Sequence, residues 1–553
     1  MNENQKRLVL EEYEVDFKNI KFRSSLNISF NRIAFIIFIF FVFTIIFSIK
    51  IIYLGSQKDK KSKVQPYKSD FRSSILDRNG NILSQSVITT NIGINPNLII
   101  DKKKLLINLK IIFPNKNFED ISSKIEKDKF FYLEKKISPK KYNQLFLLGD
   151  KSIIEEQKIS RIYPQSELFS HIIGQIDDNN KGVSGIEKSF NHELISSKEP
   201  LKLTVDMNLQ YLIRQELVNF TDIFKNIGST AILMNINSGE ILSMVSLPDF
   251  DLNIRKDLSN KIYLNRATKG VYELGSVFKT FTLASALNVG AIEIDTKFSN
   301  LKKAIRCGNH TIREYDEKIP NNLTAEQILI RSGNIGSVRI AQKVGIDKHS
   351  MFLKKIGILN KIDFDLEEVG QPIPFNWGKC KLATVSFGHG ITTTPLQLAK
   401  GYAIISNGGY DVTPTLIKQS KKKKKKKILE KGVSKKVNSA LRKIVSTKEG
   451  TAELANILGY EVAGKTGTAQ QVIGDGYSKV KINTFASIFP STNPKFVLVV
   501  LLEDPKISKD YVYKFRNSNF SLKGTPFNTA GWTTVEIAGK IIEKIGQILA
   551  TKY

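Results

Sequence analysis

The segment YELGSVFKTF, residues 272–281, places a serine directly after a glycine and a lysine three positions after that serine. From Ser276 onward apolar residues recur at helical spacing until Gly290, so Ser276 is predicted to lie at a helix N-terminus. Lys279 then lies one turn further along the same face. A cation in the first turn opposes the helix dipole, and burial among phenylalanines disfavours its charge further. The segment therefore predicts a neutral lysine able to act as general base for a nucleophilic serine.

The serine–lysine spacing alone does not identify a nucleophile, because an N-capping serine explains it equally well. Two further motifs lie downstream: RSGNIGS contains Ser332 and Asn334, and AGKTGTAQ contains a Lys-Thr-Gly triplet that begins at Lys465 and occurs once in the chain. The three motifs together favour a catalytic site. Ser-x-x-Lys also occurs where no chemistry is expected, at Ser138, Ser299, Ser420 and Ser478.

Composition excludes several classes of function. The chain has 553 residues, 41% of them hydrophobic, which is enough for two or three domains with a sizeable core. The net charge of +30 would suit nucleic acid or anionic envelope material, but the lysines are scattered and no nucleic-acid recognition motif organises them. Two cysteines and five histidines form neither a CxxC nor an HExxH motif. We therefore expect no nucleic acid, no metal and no cofactor, and we leave open whether Cys307 and Cys380 are paired.

Residues 33–54 are predicted to form a transmembrane anchor behind a short tail, residues 1–32. The run IAFIIFIFFVFTIIFSI is interrupted only by threonine and serine, and after Lys50 it continues as IIYL. A cleavable signal peptide fits poorly, because the apolar region is too long and no small-x-small site follows it. Basic residues balance on the two sides of the span, so charge alone does not orient it.

Two modules are predicted after the anchor. Residues 55–225 are mixed in pattern and rich in lysine, with a strand–turn–strand in RSSILDRNGNILSQSV whose turn is at Asn79 and Gly80, and with no constellation that suggests chemistry. Residues 226–553 open with the hairpin STAILMNINSGEILSMVS and contain two later strands, NTFASIFP and KFVLVVLLED. They close with the amphipathic helix TTVEIAGKIIEKIGQIL. Strands at both ends of a region that encloses helices indicate an α/β domain.

Many blocks of this sequence resemble class B penicillin-binding proteins, above all their FtsI-like, division-specific branch in its alphaproteobacterial style. Besides the three motifs, the similar blocks are RIYPQSELFSHIIGQID, GVSGIEKSFN, LTVDMNLQ, SFGHGITTTPLQLAKGYAIISNGG and TAGWTTVEIAGKIIEKI. Leu274 stands where the elongation-type sibling usually has proline, and Gly333 stands where relatives often have serine. The resemblance implies a penicillin-binding, serine-transpeptidase fold of the α/β (α+β) kind, with an antiparallel sheet flanked by helices, an elongated N-terminal pedestal and one transmembrane helix.

The resemblance also implies a reaction, peptidoglycan cross-linking by a serine-type D-Ala-D-Ala transpeptidase. Ser276 would attack the carbonyl between the two terminal D-alanines of a stem peptide, and Lys279 would act as its base. Ser332 would carry a proton toward the leaving nitrogen, while Asn334 would hold the substrate amide and the lysine. Penicillins would acylate the same serine.

The Lys-Thr-Gly segment is expected to bind the substrate. Lys465, Thr466, Gly467 and Thr468 would lie on an edge strand and supply positive charge and hydroxyl donors for the terminal carboxylate of the stem peptide. Backbone N–H groups of Ser276 and Thr468 would form the oxyanion hole. His389, in SFGHG, is expected to have a structural role near the site, because the lysine already supplies the base.

The cellular context follows from the same resemblance. The protein would be a single-pass bacterial inner-membrane protein with a periplasmic catalytic domain, placed at the division septum. It would work with a partner glycosyltransferase and other division proteins, since no glycosyltransferase domain is evident. The seven lysines at residues 421–427 favour a solvated surface loop over a site for anionic polymer or lipid head groups.

Three alternatives remain open at this level. The chain could be an elongation-type transpeptidase of the same class. It could be a β-lactamase or β-lactam sensor on the same fold, although no group that would activate water on an acyl-enzyme is evident. It could also be a division scaffold with vestigial catalysis. Against this alternative, every motif side chain is intact.

Overall fold

A computed structural model describes residues 20–56, 71–254, 260–308, 310–418, 425–473 and 476–553. The chain divides into two units, Met1–Ser69 and Asp70–Tyr553. Most of the predicted tail and the first four lysines of the 421–427 run lie outside the described residues.

The first unit contains one long helix, α1 (Ile20–Ser56). Within it, Arg32–Tyr53 has a mean hydropathy of 2.9 and is not buried at any point. Twenty-two helical residues rise by about 33 Å, enough to cross the hydrocarbon core of a bilayer. The apolar helix predicted over residues 33–54 is therefore present, and it is long enough to span a membrane.

The first part of the second unit is built around one long strand, β2. This strand pairs antiparallel with β1, β3 and β4, and β5 pairs parallel with β1. The predicted turn is confirmed, because the carboxylate of Asp77 accepts hydrogen bonds from the backbone of Asn79 and Asn81. In chain order the elements are β1 (Ile75–Leu76), β2 (Ile82–Ile94), α2 (Lys102–Ile112), α3 (Phe118–Glu126), β3 (Phe131–Glu134), α4 (Pro139–Phe146), β4 (Ile153–Ile162), α5 (Ser170–Ile173), α6 (Gly185–Ser189), α7 (Asn191–Ser196) and β5 (Leu201–Lys202).

A buried ionic cluster joins three distant segments of this part. The Glu187 carboxylate accepts from Arg72 Nε at 3.0 Å and from Arg161 Nε at 2.7 Å, and Ser84 Oγ donates to the same carboxylate at 2.9 Å. The two arginine side chains and the glutamate side chain are almost completely buried. Removing one partner would leave a buried charge uncompensated, so the cluster fixes how the three segments meet.

In the described part of the chain, the remaining elements include a five-stranded sheet with helices on both faces and three two-stranded sheets. In chain order they are α8 (Met207–Phe224), β6 (Gly228–Asn235), β7 (Ile241–Leu247), α9 (Phe278–Asn288), β8 (Lys297–Phe298), β9 (Ala304–Cys307), β10 (His310–Arg313), β11 (Leu323–Thr324), α10 (Ala325–Ile330), α11 (Asn334–Val344), α12 (Ile346–Lys355), α13 (Lys379–Val385), α14 (Pro395–Ser406), α15 (Val433–Ser446), β12 (Ala463–Ile473), β13 (Gly476–Phe489), β14 (Phe496–Glu503), β15 (Val512–Lys514), β16 (Ser521–Lys523) and α16 (Thr534–Lys552).

The strand order in this sheet is β12-β13-β14-β6-β7, and every pairing is antiparallel. Helices α8 and α16 pack on the sheet, as do α14 and α15. Every residue of β14 is buried, because the sheet is covered on both faces. The predicted hairpin, the two later strands and the closing helix are all confirmed. The antiparallel sheet flanked by helices agrees with the predicted fold class.

Cys307 and Cys380, whose pairing the sequence left open, form a disulfide. It joins the end of β9 to the start of α13 across a sequence separation of 73 residues. The hairpin formed by β9 and β10 is thereby tied to the helix that leads into the SFGHG segment.

Candidate active site

The Ser276 turn lies directly against the edge strand β12. Ser276 is in a 3-10 turn, Gly275–Val277, that runs into α9, a helix buried from Phe278 to Leu287. A Cβ on Gly467 would lie 2.1 Å from the carbonyl oxygen of Leu274. A Cβ on Gly275, whose φ is +61°, would lie 2.8 Å from the carbonyl oxygen of Thr468. The glycines of the two motifs thus let the Ser276 turn and β12 approach closely.

The Lys279 amine is buried and is held by the Ser332 loop. Its side chain is 1% exposed. Nζ lies 2.5 Å from the carbonyl oxygen of Ser332, 2.7 Å from Asn334 Oδ1 and 3.2 Å from Ser332 Oγ. The structure therefore brings together the lysine of the first motif and both polar side chains of the second.

Lys465 approaches the same hydroxyl from β12. Its side chain is fully buried, and Nζ lies 2.9 Å from Ser332 Oγ and 3.1 Å from the carbonyl oxygen of Thr466. The Ser332 hydroxyl is thus the bridge between two buried amines.

Burial changes the charge of both amines. It lowers the pKa of Lys279 from 10.5 to about 7, with the charge of Glu314 opposing this shift. Burial, and then repulsion by Lys279, lowers the pKa of Lys465 well below 10.5. A neutral Lys279 has two N–H donors and one lone pair. The carbonyl oxygens of Ser332 and Asn334 can only accept, so the lone pair is left for a hydroxyl proton.

The Ser332 loop adopts an uncommon backbone conformation. Ser332 has φ = +55°, in the left-handed region that non-glycine residues rarely occupy. Such a conformation costs about 1–3 kcal/mol and persists only where its surroundings enforce it. Here the N–H groups of Ser332 and Gly333 donate to Leu329 and Ile328, the last turn of α10.

Strand β12 presents polar groups to an open cleft of about 620 Å³. Thr466 Oγ1 is 2.7 Å from Thr451 Oγ1, and Thr468 Oγ1 accepts from the backbone N–H of Ala530. The cleft is lined by Ser276, Tyr315, Ser332, Asn334, Phe387, His389, Gly450, Thr451, Glu453, Leu454, Thr466, Thr468, Phe515, Thr529, Gly531 and Trp532. All three sequence motifs therefore border one cavity.

His389 lines the cleft, and its pKa is lowered by burial and by the nearby Lys279. Its Nδ1 lies 3.9 Å from the Glu273 carboxylate, which also accepts from the backbone N–H of Gly390 at 2.9 Å. This arrangement fits a residue that shapes the cleft wall. Among the residues described, no group of three or more His, Cys, Asp or Glu side chains could hold a metal ion.

Several residues at this site were not predicted from the sequence. Thr451 and Trp532 lie in GTAELANILGYEVAGKTG and TAGW, but no residue pattern marked them as part of the cleft. Glu314 and Tyr315 follow β10 in a segment without a motif. Only the folded chain brings them to the Ser332 loop.

Two family models cover most of the chain. Residues 229–521 match the family described as penicillin binding protein transpeptidase domain, and residues 69–218 match that described as penicillin-binding protein dimerisation domain. The "Peptidoglycan D,D-transpeptidase FtsI" of Buchnera aphidicola subsp. Schizaphis graminum is 30% identical over 543 residues, covering 90% of this chain and 94% of the relative.

Two further relatives and one solved structure agree with these matches. The "Probable peptidoglycan D,D-transpeptidase FtsI" of Caulobacter vibrioides is 27% identical over 87% of this chain and 82% of its own length. The "Peptidoglycan D,D-transpeptidase FtsI" of Escherichia coli is 27% identical over 83% of each chain. The crystal structure of a peptidoglycan synthetase from Bifidobacterium adolescentis has a TM-score of 0.64 at 21% identity, over 87% of this chain and 95% of that one. The structural likeness shows a common fold.

Proposed function

The chain belongs to the penicillin-binding protein transpeptidase family, and from that premise we propose that it cross-links peptidoglycan stem peptides at the division septum as a serine-type D,D-transpeptidase. Relatives named FtsI match most of its length. Neither the elongation-type, the β-lactamase nor the scaffold alternative is favoured by these matches. Penicillins are expected to acylate the same serine.

Acylation begins at Ser276, which is partly exposed in the cleft, whereas Lys279 is buried. Neutral Lys279 takes the hydroxyl proton as the serine oxygen attacks the carbonyl between the two terminal D-alanines. The backbone N–H groups of Ser276 and Thr468 receive the developing oxyanion. The close contact between the Ser276 turn and β12 supports this pairing of donors.

Ser332 returns the proton to the leaving nitrogen. Its hydroxyl lies between the Lys279 and Lys465 amines, so a proton accepted by Lys279 can pass through it to the departing D-alanine. The released D-alanine leaves an acyl-enzyme on Ser276. The amine of a neighbouring stem peptide then attacks that ester, forms the cross-link and restores the serine hydroxyl.

Substrate binding increases the fraction of Lys279 that is neutral. The terminal carboxylate of the stem peptide is placed at Lys465, Thr466 and Thr468, where it favours the charged form of Lys465. A charged Lys465 disfavours protonation of Lys279, because the two amines share the hydroxyl of Ser332. Binding of the carboxylate thereby keeps Lys279 in its neutral, active form. Gly467 contributes by leaving room for the Ser276 turn.

The single observation that carries this mechanism is the buried bridge at Ser332. Two lysines far apart in sequence converge on one hydroxyl, and burial lowers the pKa of both. Among the described residues, no carboxylate is hydrogen-bonded to either amine, an arrangement that a purely structural site would not favour.

The apolar helix and the FtsI relatives are consistent with a single-pass inner-membrane protein. We propose that the catalytic domain is periplasmic and that the protein acts at the septum. The Cys307–Cys380 disulfide supports export, since disulfides persist in oxidising compartments. Residues 55–225 are proposed as the pedestal and 226–553 as the transpeptidase domain, and the two family matches fall on either side of that boundary. A partner glycosyltransferase would supply the glycan strands.

The direct test is acylation of the detergent-solubilised full chain by a fluorescent penicillin. We expect stable, stoichiometric labelling of the wild type and none of Ser276→Ala. Ser138→Ala is the matched control, because Ser138 begins the same Ser-x-x-Lys spacing at the start of α4 and should leave labelling unchanged. An unlabelled wild type, or equal labelling of the Ser276→Ala variant, would refute the mechanism, and rapid release of the label would favour a β-lactamase.

A further inference from the structure

Glu314 lies behind the Ser332 loop, outside the three motifs, and we propose that it is a positioning residue that holds Ser332 and Asn334 against the Lys279 amine. The inference rests on the proposed transpeptidase function and deepens it. It adds to the site a residue that does not touch the substrate but sets the geometry of the proton path.

The contact is made by both carboxylate oxygens. Glu314 Oε2 accepts from the backbone N–H of Asn334 at 2.7 Å, and Oε1 accepts from that of Ile335 at 2.9 Å. These are the first two residues of α11, whose N-cap, Gly333, has no side chain to cap the helix. A carboxylate supplied from a distant segment therefore takes the place of the missing cap, where it also interacts favourably with the helix dipole.

The residues next to Glu314 hold the same loop. The carbonyl oxygen of Arg313 accepts from Asn334 Nδ2 at 2.8 Å, which turns Asn334 Oδ1 toward Lys279. The hydroxyl of Tyr315 donates to the carbonyl oxygen of Arg331 at 2.9 Å. Three consecutive residues thus contact the loop on both sides of Ser332.

The loop needs such support because its conformation is strained. Ser332 lies at φ = +55°, and the bonds from its own N–H and that of Gly333 attach the loop to α10. Glu314 adds a second attachment, to the backbone at the start of α11. A shift of the loop by about 1 Å would break the alignment of the hydroxyl with the two amines, and misplacement of that size can cost about 100-fold in rate.

Glu314 also adds a negative charge near the buried amines. In the described part of the chain, the groups that interact electrostatically with Lys279 are Lys465 on β12, His389 after α13, and Glu314. Of these, Glu314 favours the protonated form of Lys279, in opposition to burial. Removing its charge should lower the pH at which Lys279 becomes neutral.

Substitutions at Glu314 separate its effect on the position of the Ser332 loop from its effect on the charge of Lys279. Glu314→Gln keeps the size of the side chain but removes the charge and one acceptor, and Glu314→Asp keeps the charge on a shorter side chain. The test measures the second-order rate constant for acylation of the full chain by a fluorescent penicillin from pH 5 to 9. The fraction of labelled protein and the thermal unfolding midpoint are measured for each variant as well. Glu317→Gln is the control, since Glu317 is an exposed glutamate in the same segment.

For Glu314→Gln we expect a plateau rate at least about tenfold below that of the wild type. We also expect the rise in rate with pH, the acid limb of the profile, to occur at a pH lower by roughly half a unit or more. Glu314→Asp should keep the wild-type limb and lose part of the plateau, and Glu317→Gln should match the wild type in both.

Two results would overturn the proposal. One is an unchanged plateau and limb in Glu314→Gln. The other is a loss confined to thermal stability or to the labelled fraction, with the rate per active site and the limb unchanged, as a purely structural role would give. If the wild type itself is not labelled, the proposed function fails, and this inference fails with it.

Discussion

At the level of single residues, the proposed chemistry depends on the burial of two lysine amines. Lys279 and Lys465 belong to motifs almost two hundred positions apart, yet both are buried around the Ser332 hydroxyl. Desolvation disfavours the ammonium form of each, and no carboxylate pairs directly with either amine among the hydrogen bonds of the described residues. The serine is left partly exposed, where substrate can reach it.

The pH dependence of acylation follows from the charge on Lys279. Because its pKa is lowered to about 7 and the neutral amine is the active form, the second-order acylation rate should rise with pH and reach half its plateau at about pH 7. Stopped-flow measurement with a penicillin on the full chain checks this. A rate that is flat from pH 5 to 9 would show that an ammonium is not the group being titrated.

Lys279→Arg tests the same assignment by replacing an amine that can be neutral with a side chain that stays protonated. A guanidinium remains protonated, so we expect the acylation rate to fall by about 10²–10⁴-fold and to lose its rise near pH 7. The exposed Lys302 provides the matched control: Lys302→Arg should leave both rate and pH profile unchanged. A near-normal rate in Lys279→Arg would assign the base to another residue.

At the level of helices and strands, the cleft is held together by contacts between pieces that are remote in sequence. Strand β12 lies against the Ser276 turn, and the Ser332 loop is fixed from α10 and from the segment after β10. The Cys307–Cys380 disulfide ties the β9–β10 hairpin, which leads to Glu314, to α13, which leads to Phe387 and His389. It therefore connects the supports of two walls of the cleft.

Removing this disulfide should destabilise the catalytic part of the chain. A cross-link with a sequence separation of 73 residues restricts the unfolded chain, so Cys307→Ser combined with Cys380→Ser should lower the free energy of unfolding by about 2–4 kcal/mol. Denaturant unfolding in detergent checks this. Reduction should destabilise the wild type by a similar amount and leave the double variant unchanged, whereas equal stability of the two proteins would contradict the prediction.

At the level of the complete chain, an apolar helix is joined to a compact unit that contains the proposed active site. The membrane-length helix lies in Met1–Ser69, whereas every motif of the site lies in Asp70–Tyr553. Every described residue that lines the cleft lies at or after Ser276 in the chain. Acylation and placement in the cell are therefore expected to be separable.

Exchange of the anchor tests that separation. Replacing residues 33–54 with an unrelated transmembrane span should leave penicillin labelling in membranes unchanged and impair septation in cells depleted of the native protein. A Ser276→Ala chain with its own anchor is the complementary control, since it should localise normally and fail to be labelled. Normal septation with the foreign span would refute a specific role for the anchor.

Local patterns in the sequence were sufficient to predict the features that depend on neighbouring residues. A long apolar run predicts a span, alternating and helical patterns predict the hairpin, the later strands and the closing helix, and the three motifs contain Ser276, Lys279, Ser332 and Lys465. Each of these depends on residues close together in the chain, where spacing and side-chain type are sufficient evidence.

Contacts between distant segments were determined by the folded structure alone. Folding paired Cys307 with Cys380, placed the Ser332 hydroxyl between two lysines, and brought Glu314 to the start of α11. Such contacts join segments through packing of the sheet and its helices, and no local pattern records them. The degree of burial that lowers the pKa of Lys279 is likewise a property of everything packed around it, so the sequence could predict the direction of that shift but not its extent.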